Sequence, residues 1–341
     1  MKSYGFDFAD GVYGANLKEL ENESLNVHNL EWTVSKAFEF LETSASQEKP
    51  FFLYFSTTLH HGPAPWVNRF SLEADSRMTG EGFIEEGFDV MPPRKDVLKR
   101  NREQGLPDRD AYALWLDDGV GAILDKLAAL GLEEDTLVMF VPDHGSFRHG
   151  KATLYEHGMR VPLVARWKGT VHPASRYHGI TANIDLAPTL LELAGANRPA
   201  DAMIDGVSFA PALFGDKKPI RDILFGELGH SRCVKTKDWK YIAVRYPPDV
   251  QKKVDSDEAF RGFEGRPLKR PYLTRNGHLG HHASVANPNY FVPDQLYSLT
   301  NDPFENRNVI DQHSPVAARL KERLSEQLRQ FENRPFGEFT Y

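Results

Sequence analysis

Residues 108–145 read DRDAYALWLDDGVGAILDKLAALGLEEDTLVMFVPDHG, and their pattern decides the fold class. The first half is apolar at helical spacing. Leu114, Leu116, Val120, Ile123, Leu124, Leu127 and Leu130 predict one apolar face, with Asp108 or Asp110 as cap and Gly131 as the stop. Residues 136–141 then form a short apolar run, the mark of a strand buried on both faces. Asp143, His144 and Gly145 follow as a polar tip. Helix, buried strand and polar tip in that order predict an open α/β sheet, whose ligand sites lie beside the carboxyl ends of strands.

Working outward, residues 30–41 place Trp32, Val34, Ala37, Phe38, Phe40 and Leu41 at helical intervals. Residues 51–56, FFLYFS, predict a second fully buried strand, ending in the polar stretch TTLHHGP. Residues 61–108 read as a long irregular segment, and such segments commonly serve a site. Downstream, residues 161–166 are a short apolar run and 184–193 a short helix. Composition changes at 214–222, FGDKKPIRD, after which 223–227, 231–236 and 239–244 alternate as a smaller antiparallel sheet. Residues 246–295 are irregular, and 315–331 form an amphipathic closing helix. The expected division is a core of residues 1–215 and a C-terminal subdomain of residues 216–341.

The chain has 341 residues, enough to bury a sizeable core without disulfides. Its single cysteine, Cys233, excludes a disulfide framework and any cysteine-rich metal site, and reads as structural. A net charge of -7 argues against nucleic-acid binding as the main function. No apolar run is long enough for a membrane span. The opening MKSYGFDFADGVYG has no apolar core of a signal peptide, and the compartment is left open.

Several residues are candidates for chemistry. Asp143 and His144 could bind a divalent metal at a strand end. His60 and His61 follow the other predicted strand. Lys151, in HGKATLYEHGMRVPL, would suit an anionic sulfate or phosphate oxygen if held beside a metal. His278, His281 and His282 form a second His-rich stretch, and Asn22 opens a glycosylation sequon. Nucleotide-binding GxGxxG and GxxxxGK[ST] patterns, the zincin HExxH and the GxSxG elbow are all absent.

Taken in order, these segments resemble the sulfatase family, within the alkaline-phosphatase-like superfamily. PFFLYFSTTLHHGP resembles the family's strand and His–x–Pro segment, which implies a substrate-side histidine at His61. VPDHG resembles its second metal-binding segment, implying metal ligands at Asp143 and His144. GKATLYEHGMRVPLVARWKG resembles the lysine segment, with His157 where Gly is usual, and implies a sulfate-contacting Lys151. DLAPTLLELAG with DGVSF, and DQLYSLTNDPFENRN with Ser298 where Asp is common, resemble later family segments. The implied fold is an alkaline-phosphatase-like α/β/α sandwich. It has a mostly parallel central sheet, here lacking its N-terminal part, a small C-terminal antiparallel sheet and a closing helix.

The resemblance also implies what is not found. Sulfatases carry an early C/S–x–P–S–R motif, whose first residue becomes the formylglycine nucleophile, and an early Asp–Asp pair of metal ligands. Neither occurs here, so the sequence reads as a sulfatase lacking roughly its first hundred residues. Its Ca2+ site would be incomplete, since calcium prefers six to eight oxygens. The resemblance implies a sulfuric ester hydrolase acting on a small-molecule or carbohydrate sulfate ester. The chain is expected to be inactive alone, with a partner or a missing segment completing the fold. Two alternatives stand beside it: a phosphate or phosphonate ester hydrolase of the same superfamily, and a non-catalytic remnant or binding protein.

Overall fold

The computed structural model describes residues 5–13, 27–47, 49–59, 71–146, 150–198, 200–246, 248–255, 260–261, 267–268 and 287–330. The chain gathers into two compact units, Met1–Thr136 and Leu137–Tyr341.

The first unit is built on three helices: α1 (Leu30–Ala45), α2 (Arg94–Glu103) and α3 (Ala111–Ala129). Asn29 caps α1 by accepting from the Trp32 N–H at 3.0 Å, and its amide donates to the Ser76 and Met78 carbonyls. The short strands β1 (Met78–Thr79) and β2 (Gly82–Phe83) pair antiparallel. The segment 61–108, expected to be irregular, therefore holds a hairpin and a helix among its described residues. Periodicity hid α2 because polar side chains complete its buried face. Arg94 makes a two-pronged pair with Glu31 at 2.9 and 2.7 Å and donates to the Ser71 and Ala74 carbonyls.

α1 and α3 cross closely at Gly119, where a Cβ would stand 2.7 Å from a Leu30 methyl. α3 buries Ala111, Tyr112, Trp115, Gly119 and the predicted Leu127 deepest, with Leu114, Leu116 and Ile123 packed at the edge of the core. Neither predicted aspartate cap makes a side-chain bond to the helix start: Asp108 lies in a 3-10 turn and Asp110 caps without one. Residues 51–56 depart from the expected buried strand. They pair with no strand among the described residues, and Phe52 and Tyr54 are 58% and 68% exposed while Phe55 packs on the core. The apolar run is covered on one side only.

In the second unit, β3 (Val138–Phe140) pairs antiparallel with β4 (Val164–Arg166). Phe140, Val141 and Val164 are exposed, so this run too is less covered than its composition predicts. The lysine segment contains the one-turn helix α4 (Glu156–Met159). Then come α5 (Leu186–Leu193), α6 (Ala210–Leu213) and strands β5 (Leu224–Leu228), β6 (Ser231–Lys235) and β7 (Trp239–Val244). After α7 (Pro248–Asp255) and the β8 (Phe260–Arg261) and β9 (Pro267–Leu268) pair come β10 (Asp294–Ser298) and α8 (Ser314–Arg329).

The C-terminal sheet runs β10-β7-β6-β5, antiparallel throughout, and α8 closes it by packing Ala317, Leu320 and Leu324 against Val234, Tyr241 and Leu296. The alternation predicts β5 to β7 and the amphipathic pattern the closing helix, whereas β10 is a fourth strand not predicted, and the stretch 246–295, expected to be irregular, holds α7, β8 and β9 among its described residues. Every ladder among the described residues is antiparallel, so the parallel pairing implied for a central sheet is not among them. Cys233 is fully buried in β6 beside Met159, as the structural reading requires. No described helix is long and apolar enough to cross a membrane.

Candidate functional site

Two loops of the second unit meet backbone to backbone. The tip after β3 sends the Gly145 N–H to the Gly158 carbonyl (3.0 Å) and the Ser146 N–H to the His157 carbonyl (2.7 Å). The Ser146 carbonyl in turn accepts from Gly150 (2.9 Å) and Lys151 (2.8 Å). The structure thus joins Asp143, His144 and Lys151 through one hydrogen-bonded framework.

Three glycines make that approach possible. A Cβ on Gly145 would stand 2.1 Å from the His157 carbonyl oxygen, one on Gly150 2.0 Å from the His157 carbonyl carbon, and one on Gly158 2.1 Å from the Gly150 oxygen. All three obstacles are backbone atoms. Ala152, next to Lys151, has φ 62, a left-handed conformation unusual without glycine.

Asp143 projects from the tip with its side chain 86% exposed, and accepts from the His144 N–H at 2.9 Å. The His144 Nδ1 lies 2.7 Å from the Gly145 carbonyl oxygen, which can only accept. Nδ1 therefore carries the proton there, and in the neutral ring Nε2 keeps its lone pair. Nε2 is 3.6 Å from Asp143 Oδ2. Two ligands at right angles around one cation of calcium's size stand about 3.4 Å apart. The spacing suits two neighbouring ligands, but one oxygen and one imidazole nitrogen fall short of a calcium site, which takes six to eight oxygens. Among the described residues no group of three His, Cys, Asp or Glu could hold a metal.

The lysine segment is anchored a few residues beyond Lys151. The fully buried Lys240 Nζ, on β7, donates to the Leu154 carbonyl at 2.9 Å and pairs with Glu156 at 2.7 Å and Glu305 at 2.9 Å. Lys235 on β6 holds Glu156 at 2.7 and 2.6 Å. Tyr155 and Tyr297 both donate to Gln295 Oε1 at 2.8 Å. Burial pushes the Glu156 carboxyl up, but the two ammonium groups outweigh it and hold it below the usual range. For Glu305, burial outweighs Lys240 and the carboxyl is raised. Burial lowers Lys240, and the two carboxylates more than reverse that. His157 stacks on the exposed Phe304, ring centroids 5.1 Å apart.

His60, His61, His278, His281, His282 and Asn22 lie outside the described residues. Sequence reasoning assigned no role to Gly145, Gly150, Gly158, Glu156, Lys240 or Glu305. No local pattern marked the three charged residues, whose partners lie far away in sequence.

The Sulfatase family model matches residues 1–196, and one described as N-sulphoglucosamine sulphohydrolase, C-terminal, matches residues 143–258. Arylsulfatase A of Homo sapiens is 28% identical over 295 residues, 80% of this chain and 47% of that protein. The ulvan-active sulfatase of Formosa agariphila is 30% identical over 209 residues, 58% of this chain and 38% of that one. Among solved structures, the PsFucS1 sulfatase from Pseudoalteromonas sp. superposes with TM-score 0.57 at 19% identity, covering 89% of this chain and 53% of the other. That likeness shows the fold, the alkaline-phosphatase-like α/β architecture. The chain spans half or less of the length of these curated relatives.

Proposed function

Because this chain belongs to the sulfatase family, we propose that it forms part of a sulfuric ester hydrolase acting on sulfated carbohydrate. The observation that carries the reading is the backbone framework joining the Asp143–His144 tip to the lysine segment. An ammonium group, with a carboxylate and an imidazole that could share a divalent cation, held on one framework suits an anionic ester. A relative named for its activity on ulvan supports the carbohydrate class.

In this reading Lys151 sets its ammonium against sulfate oxygens. A charge held where negative charge develops lowers the barrier most when its support is rigid beforehand. Asp143 and His144 would hold a divalent cation jointly with further ligands, and that cation would add positive charge at the sulfate. His61 would contact the ester or protonate the leaving oxygen. Residues 1–215 would form the ester-binding core and residues 216–341 the subdomain that supports it. The 341 residues contain no C/S–x–P–S–R motif, so the chain by itself binds a sulfate ester without turning it over.

Titration of the chain with 4-nitrophenyl sulfate, followed by NMR shifts and by nitrophenol release, tests this. Wild type binds, and Lys151→Ala weakens binding about ten-fold or more, as loss of a charged hydrogen bond requires. Equal binding by wild type and Lys151→Ala overturns the site. Nitrophenol release above the blank overturns the claim that the chain alone is inactive.

A further inference from the structure

Lys240 presents a problem that the ester-binding reading leaves unanswered. Its side chain is wholly buried. Burying an ammonium group costs desolvation that an apolar side chain of similar size avoids, so the charge calls for a role. Its contacts supply one. Lys240 belongs to β7, Glu156 to α4 in the lysine segment, and Glu305 to the turn after β10. The Glu156 N–H donates to Glu305 as well, at 2.5 Å. With the Leu154 carbonyl on Lys240 and the Tyr155 hydroxyl on Gln295, three consecutive residues of the segment are fastened to the C-terminal sheet and its following turn.

The fastening also explains backbone strain. Among the described residues only Ala152, Ala174 and Glu305 combine a side chain with positive φ. Two of the three bracket this cluster. Such conformations persist only where surrounding contacts over-determine them.

We propose that Lys240 is a positioning residue for Lys151. Clamped between Glu156 and Glu305, it pins the lysine segment to the C-terminal sheet, so that Lys151 meets an anionic ester already in place. The inference rests on the reading of Lys151 as the sulfate-ester contact, and goes beyond it by making the C-terminal sheet part of the binding device.

The test uses Lys240→Met, Glu156→Gln, Lys151→Ala and the Lys240→Met/Lys151→Ala double variant of the whole chain. The first readout is amide hydrogen exchange at Lys151 and Thr153, whose N–H groups donate to the Ser146 and Gly150 carbonyls. Exchange there is expected to speed up about ten-fold or more in Lys240→Met, and less in Glu156→Gln, with α1 unchanged. The second is affinity for 4-nitrophenyl sulfate. Lys240→Met weakens it, and the double variant binds no more weakly than Lys151→Ala, because Lys240 acts through Lys151. Unchanged exchange at both amides overturns the proposal, as does a Lys240→Met effect that adds in full to that of Lys151→Ala. If Lys240→Met does not fold, Glu156→Gln and its double variant carry both arms. Faster exchange with unchanged affinity in Lys151→Ala identifies the other failure: the reading of Lys151 falls, the positioning role with it, and the clamp remains as structure only.

Discussion

Gly150→Ala puts the site's backbone framework to the most direct test. The added Cβ would lie 2.0 Å from the His157 carbonyl carbon, 2.1 Å from the Gly158 nitrogen and 2.3 Å from the His157 oxygen. Ordinary contact begins near 3.4 Å, so one strand of backbone must retreat by about 1.4 Å. No flexible side-chain end is available to yield instead. That retreat pulls on the Gly150 and Lys151 bonds to the Ser146 carbonyl, and on the Ser146 bond to His157. Each is worth about 1 kcal/mol net, so loss of two or three predicts a destabilisation of about 2–3 kcal/mol. Gly121→Ala is the internal control. It lies within α3 with nothing inside 4 Å of its new Cβ, and should gain about 0.5–1 kcal/mol from helix propensity. Urea denaturation followed by circular dichroism measures both. A Gly150→Ala variant within about 0.5 kcal/mol of wild type would refute the close-approach argument.

Three further outcomes follow from the second unit. The Glu156 carboxyl, raised by burial but lowered further by Lys240 and Lys235, sits below its usual range. A depressed folded value gives stability that is present at neutral pH and lost as pH falls through it. The stability gap between wild type and Glu156→Gln should therefore stay flat from about pH 7 to 5 and close below about pH 4, and a gap undiminished at pH 3 contradicts this. Burial pushes the Cys233 thiol up to about 11, leaving about one thiolate in a thousand at pH 8. An aromatic disulfide reagent should label it only as fast as the protein opens, and immediate labelling of folded protein would count against the burial. Asp185 is wholly buried, accepts the Ala182 N–H at 2.7 Å and the Val207 N–H at 2.9 Å, and pairs with Arg221. Asp185→Ala strands all three and should cost about 3–5 kcal/mol in the same denaturation assay, with Asp185→Asn costing less.

Periodic elements were legible in the sequence where apolar residues mark most of a buried face, even where a charged side chain such as Glu31 or Lys240 is buried among them. α1, α3, β5 to β7 and α8 follow their predicted spans closely. α2 was not legible because RKDVLKRNRE offers only Val97 and Leu98 as apolar signals. Of its remaining buried positions, Arg94 is held by Glu31 and the carbonyls of Ser71 and Ala74, and the Asn101 amide donates to the carbonyls of Leu106 and Pro107. The runs 51–56 and 136–141 depart in the opposite way, being less covered than predicted, although the second does hold β3. A continuous apolar run states how much surface a chain has to cover, but the covering elements are supplied by the rest of the fold.

The site divides along the same line. Asp143, His144 and Lys151 are candidates legible in the sequence because each sits in a short motif, and local backbone bonds join the segments that carry them. Lys240 could not be named that way. In WKYIAV, a lysine beside a tryptophan at the start of a strand reads as the solvated position of an alternating pattern. Its burial becomes intelligible only once Glu156 and Glu305 are placed against it. Lys240 lies 86 residues from Leu154, and Glu156 lies 149 residues from Glu305. Hydropathy and spacing report what a segment needs from its immediate neighbours, whereas a buried charge is decided by where its counter-charge arrives. The parts of this site hidden from sequence are therefore the ionic supports, and those supports connect the lysine segment to the C-terminal sheet.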